Sequence, residues 1–312
     1  MSVTVQTEKE AFWYLNLTPA QQTAYEQLHA HLKATDSLAE GRDDQWTLLR
    51  FLKARQWDVT KATVMYTDMV RWRAKESTDA LFDTLQYPEY DALMQVYPHF
   101  YHKTDRFGRP LYIELVGKTN PNKMVEVSNV DAIMRYHIWS WERCEKEFLP
   151  ACTAASGKPI ITATVIIDLL GLSLKNFTLT AQKVVKLIAH VDQDYYPERL
   201  GQMFIINAPI IFRAVWAMVN PLLEERTRRK IIIVGYDYMP LLKQVVSEEN
   251  LPEMFGGRSK VKDHHTSEGP WGTASTPGHV KKADTLATLF AAKAKLDDST
   301  KEVTVVSNSA VA

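Results

Sequence analysis

From Ser128 to Val234 the chain repeats one order in three successive units, helical periodicity followed by a short apolar, β-branched run. The pattern predicts helix 128–149 leading to strand 164–169, helix 179–190 to strand 203–207, and helix 209–223 to strand 231–234. Adjacent parallel strands can be joined only by a crossover of a dozen or more residues, which a helix supplies. The alternation therefore predicts an α/β layer with mainly parallel strands.

The first third of the chain reads differently. Thr18, Pro19 and Gln21 form a helix start, with a hydroxyl cap, proline at the first helical position and glutamine closing a capping box; that helix runs to about Ala34. A second helix begins near Asp43 or Asp44 and carries Leu48, Leu49, Phe51 and Leu52, and a third, capped by Asp58, aligns Val59, Ala62, Tyr66, Met69 and Val70 on one face. From Tyr97 the period changes to a hairpin about Asp105–Gly108, with Leu111–Val116 as its second arm. A last helix near Leu241–Ser247 precedes LPEMFGG, where paired glycines end the regular structure. Beyond Trp271 the residues are mostly Ala, Lys, Thr, Ser and Asp, with one weak helical stretch at 283–295, and read as a mobile tail. The resulting division is a helical N-terminal module (1–95), an α/β domain (96–272) and a C-terminal tail (273–312).

The stretch PIIFRAVWAMVNPLL stands out among the helices, because Arg213 and Asn220 are its only strongly polar interior side chains. A helix lying on a sheet keeps one face for water. This one is either wholly buried in a core, or its outer face meets a protein, a lipid or a membrane surface. It is shorter than the roughly 20 apolar residues needed to cross a bilayer.

Charge narrows the function. The 37 basic and 37 acidic residues cancel, so no bulk field draws the chain to nucleic acid, and any anion site must be local. The start of the chain has no basic region followed by an apolar run, and Ser2 stands where myristoylation needs glycine, which predicts a cytoplasmic protein. Cys144 and Cys152 read as free thiols, no metal-ligand spacing occurs, and the adjacent His264 and His265 read as solvated. GxSxG, GxGxxG, Walker, HExxH and kinase elements are missing from the sequence, so no catalytic residue is assigned. Asp168, at a strand end among leucines, reads as a turn or helix cap.

The segments LLRFLKARQWDV, YHKTDRFGRPLY, DLLGLSL, YYPERLG, INAPIIF and LPEMFGGRS, in this order over roughly residues 40–272, resemble the CRAL-TRIO family, most nearly its fungal-type secretory-pathway phosphatidylinositol/phosphatidylcholine transfer members. The resemblance implies a CRAL-TRIO lipid-binding lobe, its mainly parallel sheet flooring an apolar pocket under a movable helical gate, preceded by an all-helical N-terminal module. The gate falls on residues 209–223, with Phe212, Trp216 and Val219 as its markers. It also implies a non-enzymatic protein that needs no cofactor, carries phospholipid as ligand and works peripherally on Golgi or endosomal membranes. Its partners would be phosphatidylinositol, the membrane surface and a phosphatidylinositol kinase that receives the lipid.

Residue by residue, the resemblance places the phosphatidylinositol headgroup at Arg55, Gln56, Glu198, Thr227 and Lys230. Cations would meet the phosphate there, and mixed donors and acceptors the inositol hydroxyls. Gln56 stands where relatives commonly carry a base. Arg226, Arg228 and Arg229 read either as contacts to an anionic membrane or as a solvated turn. The second-ligand pocket falls on Tyr101, Tyr112, Trp141, Ala163 and Val165. Relatives that hold phosphatidylcholine have Ser and Thr at the last two positions, so this pocket lacks two hydroxyl donors for a phosphate. That leaves an alternative, an interaction or sensor module for a sterol or other apolar metabolite that transfers no phospholipid.

Overall fold

The structure, a computed structural model, describes residues 5–173, 176, 178–262 and 267–274, and the side chains of 273 and 274 are not described. The histidine pair and the helical stretch at 283–295 lie outside the described residues.

The chain opens with α1 (Glu8–Ala11), followed by α2 (Pro19–Ala34), α3 (Gln45–Ala54), α4 (Val59–Glu76), α5 (Thr78–Thr84) and α6 (Tyr90–Val96). The sequence signals set their starts: Thr18 and Gln21 close a capping box on α2, Asp44 caps α3 and Asp58 caps α4. Leu28 and Leu32 of α2, Leu48, Leu49, Phe51 and Leu52 of α3, and Ala62 and Tyr66 of α4 form one buried cluster.

A sheet follows. Strands β1 (His99–Thr104), β2 (Pro110–Glu114), β3 (Ala163–Asp168), β4 (Leu200–Ile206), β5 (Ile231–Ile233), β6 (Ser267–Gly269) and β7 (Gly272–Ala274) lie in the order β5-β4-β3-β2-β1-β6-β7. β2 through β5 are parallel, while β1 and β2 form the antiparallel hairpin. Helices α7 (Pro121–Val127), α8 (Val130–Arg143) and α9 (Leu149–Ser156) fill the crossover to β3, and α10 (Leu179–Tyr195) the crossover to β4. Between β4 and β5 lie α11 (Phe212–Val219) and α12 (Glu225–Arg228), and α13 (Met239–Val245) follows β5.

Three expectations change. The single helix expected over 128–149 continues to Ser156 but opens at Cys144–Phe148 into a π-helical turn. Pro150 has no N–H for the carbonyl of Lys146 and crowds it, which shifts the hydrogen-bond ladder there. The apolar helix expected over 209–223 is regular only over Phe212–Val219 and closes in a 3-10 turn at Asn220–Leu222, since Pro221 cannot donate to the preceding turn. Regular structure also resumes after Gly256 and Gly257: β6 pairs with β1 at His102, and Trp271 packs on Phe148 with ring centroids 4.5 Å apart. Gly257 is required where it stands, because a Cβ would lie 1.9 Å from the Leu251 carbonyl oxygen.

The period of two along each strand sorts the sheet into two faces. Leu111, Ile113, Ile166, Phe204, Ile206 and Ile232 form one core with Leu242 and Val245 of α13. The alternate residues face a cavity.

Charged side chains lock the helical module to the lobe. Arg73 of α4 donates to Glu142 of α8 at 2.9 and 2.8 Å, and Arg42 reaches both Glu142 and Glu145. Burial would raise the Glu145 carboxyl, yet Arg199, Arg42 and Arg50 hold it well below the usual carboxylate range. Breaking a buried pair of this kind by removing one partner destabilises by about 3–5 kcal/mol.

Candidate binding cavity

The turn that enters β4 is where charge and cavity meet. Tyr196 donates to Glu142 at 2.6 Å, Arg50 donates to the Pro197 carbonyl at 2.9 Å, and the Arg199 Nε donates to Glu145 at 2.8 Å. Held from both sides, the intervening Glu198 takes a left-handed φ of 58°. For a non-glycine residue that conformation costs on the order of 1 kcal/mol, and it persists only where the surroundings impose it. Glu198 thereby lines the cavity.

That cavity has a volume of about 480 Å³, within the range of small-molecule sites. Its floor is the second sheet face, with Tyr112 and Glu114 of β2, Val165 and Ile167 of β3, Met203 and Ile205 of β4 and Ile231 of β5. Val184 and Ile188 of α10 and Trp141 of α8 wall it. From α11, Phe212, Trp216 and Val219 complete the enclosure. Phe212 and Val215 anchor that helix against Leu169 and Ile205, while Ile210 just before it is 84% exposed and Met218 on it 48%. The outward apolar positions of this segment are therefore Ile210 and Met218, whereas Trp216 is half-buried and faces inward.

Behind α11 the chain is tethered. The Gln193 amide donates to the Leu222 carbonyl, and its oxygen accepts from the Glu224 N–H, both at 2.9 Å. At the front, Asn207 turns with φ 53° and donates to Asp168 at 2.7 Å, and Asp168 also accepts from the Leu170 N–H at 2.9 Å. Asp168 is thus the turn residue the sequence suggested.

One end of the cavity is ionic. Lys230 donates to Glu198 at 2.8 Å and to the Leu200 carbonyl at 2.8 Å, and Arg226 pairs with Glu198 at 2.9 Å and also with Glu224. Burial raises the Glu198 carboxyl, but Lys230, Lys53 and Arg226 outweigh it and hold the group below its ordinary value. The side chain of Thr227 has no hydrogen-bond partner among the described residues and lines the cavity beside Lys230. Arg55 caps α3 just outside, pairing with Glu224 at 3.3 Å and Asp194 at 3.9 Å. Gln56 is exposed, with φ 54°, and is not among the cavity-lining residues. The structure thus joins Glu198, Thr227 and Lys230, leaves Arg55 at their edge and sets Gln56 apart. It also moves Arg226 from a surface turn into the site.

The other end is aromatic. Tyr101, Tyr112, Trp141, Ala163 and Val165 all line the cavity, with the rings of Tyr101 and Tyr112 5.0 Å apart. Glu114 sits among them. Burial pushes its carboxyl up to about 7 against hydrogen bonds from Tyr97 and Tyr112 and the pull of His137. Nearby, Asp192 accepts from the Trp141 indole and contacts the His137 ring, each at 2.7 Å.

Sequence reading missed Glu114, Gln193 and Lys53. Glu114 was within reach, since it follows Tyr112 by two on the same strand face; Gln193 and Lys53 carry no local signal.

Residues 94–257 match the CRAL/TRIO domain and residues 24–68 the CRAL/TRIO N-terminal domain, and the chain belongs to that family. It is 34% identical over 268 residues to the SEC14 cytosolic factor of Candida glabrata, covering 84% of this chain and 88% of that protein. It is 37% identical over 259 residues to the phosphatidylinositol/phosphatidylcholine transfer protein SFH9 of Arabidopsis thaliana, covering 82% of this chain but only 45% of SFH9. Several other Arabidopsis relatives are likewise matched over less than half their length. The fold matches the crystal structure of Sfh5 with a TM-score of 0.64 at 16% identity, over 90% of this chain and 98% of that one. Among the described residues no helix is long and apolar enough to cross a membrane.

Proposed function

We propose that this protein binds phosphatidylinositol, exchanges it at membrane surfaces and presents it to a phosphatidylinositol kinase, with no bond-making chemistry of its own. The observation that carries the reading is a single apolar cavity that ends at Glu198, Arg226, Thr227 and Lys230. Acyl chains occupy the apolar part, where each buried methylene contributes about 0.8 kcal/mol, and the phosphate and inositol hydroxyls meet the ionic end. Leaving such a site for water exposes both chains. Exchange therefore takes place against a bilayer, with α11 swinging out and Ile210 and Met218 touching the lipid. The relatives' names point the same way.

The test is loading from vesicles containing phosphatidylinositol. A Glu198→Ala, Lys230→Ala variant is expected to lose at least tenfold in phosphatidylinositol loading while keeping its helical circular dichroism. Unchanged loading would remove these residues from the headgroup site.

A second reading is favoured by the aromatic end, where Ala163 and Val165 offer no donor and Glu114 is an acid rather than a base. There the protein would sense a sterol or another largely apolar metabolite without transferring phospholipid. Mass spectrometry of lipid co-purified with the protein separates the two, since phosphatidylinositol supports the first reading and a sterol the second.

A further inference from the structure

Lys53 stands behind the ionic end, on the last turn of α3. Its ammonium lies 3.7 Å from the centroid of the Trp13 ring, and Trp13 in turn meets Trp57 edge to face at 6.1 Å. The carbonyls of Lys53 and Ala54 both accept from Arg226, so this turn is joined directly to the residue that pairs with Glu198.

The local charges do not balance. Lys53, Arg55, Arg226 and Lys230 face Glu198, Glu224 and Asp194. Lys230 and Arg226 share Glu198, Arg55 and Arg226 share Glu224, and Asp194 is taken by Arg55 at 3.9 Å and His190 at 2.6 Å. Among the described residues the Lys53 ammonium has neither a salt bridge nor a hydrogen-bond acceptor; it has the indole face alone. A partly buried cation without a counter-ion either gives up its proton or waits for an anion.

We infer that Lys53, which stands outside the cavity lining beside Arg226, is the anion-responsive member of this cluster, its unmatched charge answering that of an arriving phosphatidylinositol phosphodiester across Arg226 and Glu198, so that loading takes up a proton. The inference rests on the headgroup reading above and adds to it a residue and a coupling. Burial, reinforced by Lys230 and Arg226 and opposed by Glu198, pushes the Lys53 amine down to about 7. In the empty site it is neutral above that pH. A bound phosphate favours the ammonium, so affinity is full below about 7 and falls as pH rises past it, by up to about tenfold per unit for one proton.

The test measures transfer of phosphatidylinositol from phosphatidylcholine vesicles into the full-length protein from about pH 6 to about pH 9. Wild type is expected to lose about tenfold in affinity across that range. Lys53→Arg, charged throughout, is expected to load at high pH as wild type does at low pH, with a flat profile. Lys53→Met is expected to be weak, by about five- to tenfold, at every pH. His190→Gln, which removes the neighbouring imidazole, is expected to keep the wild-type profile. A wild-type slope in Lys53→Arg overturns the proposal even if Lys53→Met fails to fold, and so does a flat profile in His190→Gln. Inorganic phosphate that abolishes the slope without lipid overturns the assignment to a lipid phosphate. If Glu198→Ala, Lys230→Ala loads normally, the headgroup reading fails; if only the Lys53 variants behave as wild type, that reading stands and this one falls.

Discussion

At one end of the cavity, Lys230 and Arg226 converge on the carboxylate of Glu198; at the other, the carboxyl of Glu114 lies among tyrosines with no salt bridge among the described residues. Two acids lining the same cavity, one in the turn before β4 and one on β2, are thus driven in opposite directions, Glu198 below its ordinary pKa by cations and Glu114 up to about 7 by burial. The difference lies in what the neighbouring segments bring. The turn after α11 delivers basic side chains to Glu198, whereas Tyr97, just after α6, and Tyr112 of the same strand bring their rings to Glu114. A single hydrophobic cavity can therefore treat an anionic headgroup and a neutral or cationic one differently at its two ends.

That contrast breaks most directly if the aromatic end is given phosphate donors. Ala163→Ser with Val165→Thr places two hydroxyls on the cavity face of β3, and hydrogen bonds to a charged group contribute about 1.5–3 kcal/mol each. Phosphatidylcholine loading from vesicles is expected to rise by about a hundredfold or more with phosphatidylinositol loading unchanged; no gain would mean that the missing hydroxyls do not set the selectivity.

Glu114→Gln sharpens the contrast from the side of stability. A carboxyl whose folded pKa is raised is protonated at no penalty below its unfolded value of about 4.3, and it weakens the fold progressively as pH rises from there through about 7. Urea unfolding of delipidated protein should show the variant level with wild type near pH 4 and more stable by about 1–3 kcal/mol near pH 8. A constant difference at both pH values would mean that Glu114 does not titrate as its surroundings require.

The smallest effect is expected at the proposed gate, just before α11. Ile210→Glu alters an exposed side chain, so stability should stay within about 0.5 kcal/mol, while transfer between anionic vesicles should slow about threefold through weaker contact with the bilayer. Transfer at the wild-type rate would detach Ile210 from membrane contact.

Much of the fold was legible because its signals are local. Thr18, Asp44 and Asp58 cap the helices they precede, and β-branched runs mark β3, β4 and β5. The boundaries that moved were governed by Pro150 and Pro221, whose effects spread into the preceding turn. The candidate site was only partly legible. Tyr112 and Val165 share a face through strand alternation, but nothing near Lys53 announces Arg226, 173 residues away. Gln56, adjacent to Arg55 in sequence, turns outward because the chain reverses there through left-handed backbone at Gln56 and Trp57, φ 54° and 67°.

The sequence by itself determined the order of helices and strands and the faces those strands present, because periodicity and caps act within a few residues, and its motif segments carried the resemblance to the family. Only the tertiary structure decided which charges share Glu198, which acid is left to the tyrosines and that Lys53 meets an indole face rather than a carboxylate among the described residues. Those outcomes depend on burial and on partners carried by separate elements of the fold, and neither is written in any one segment.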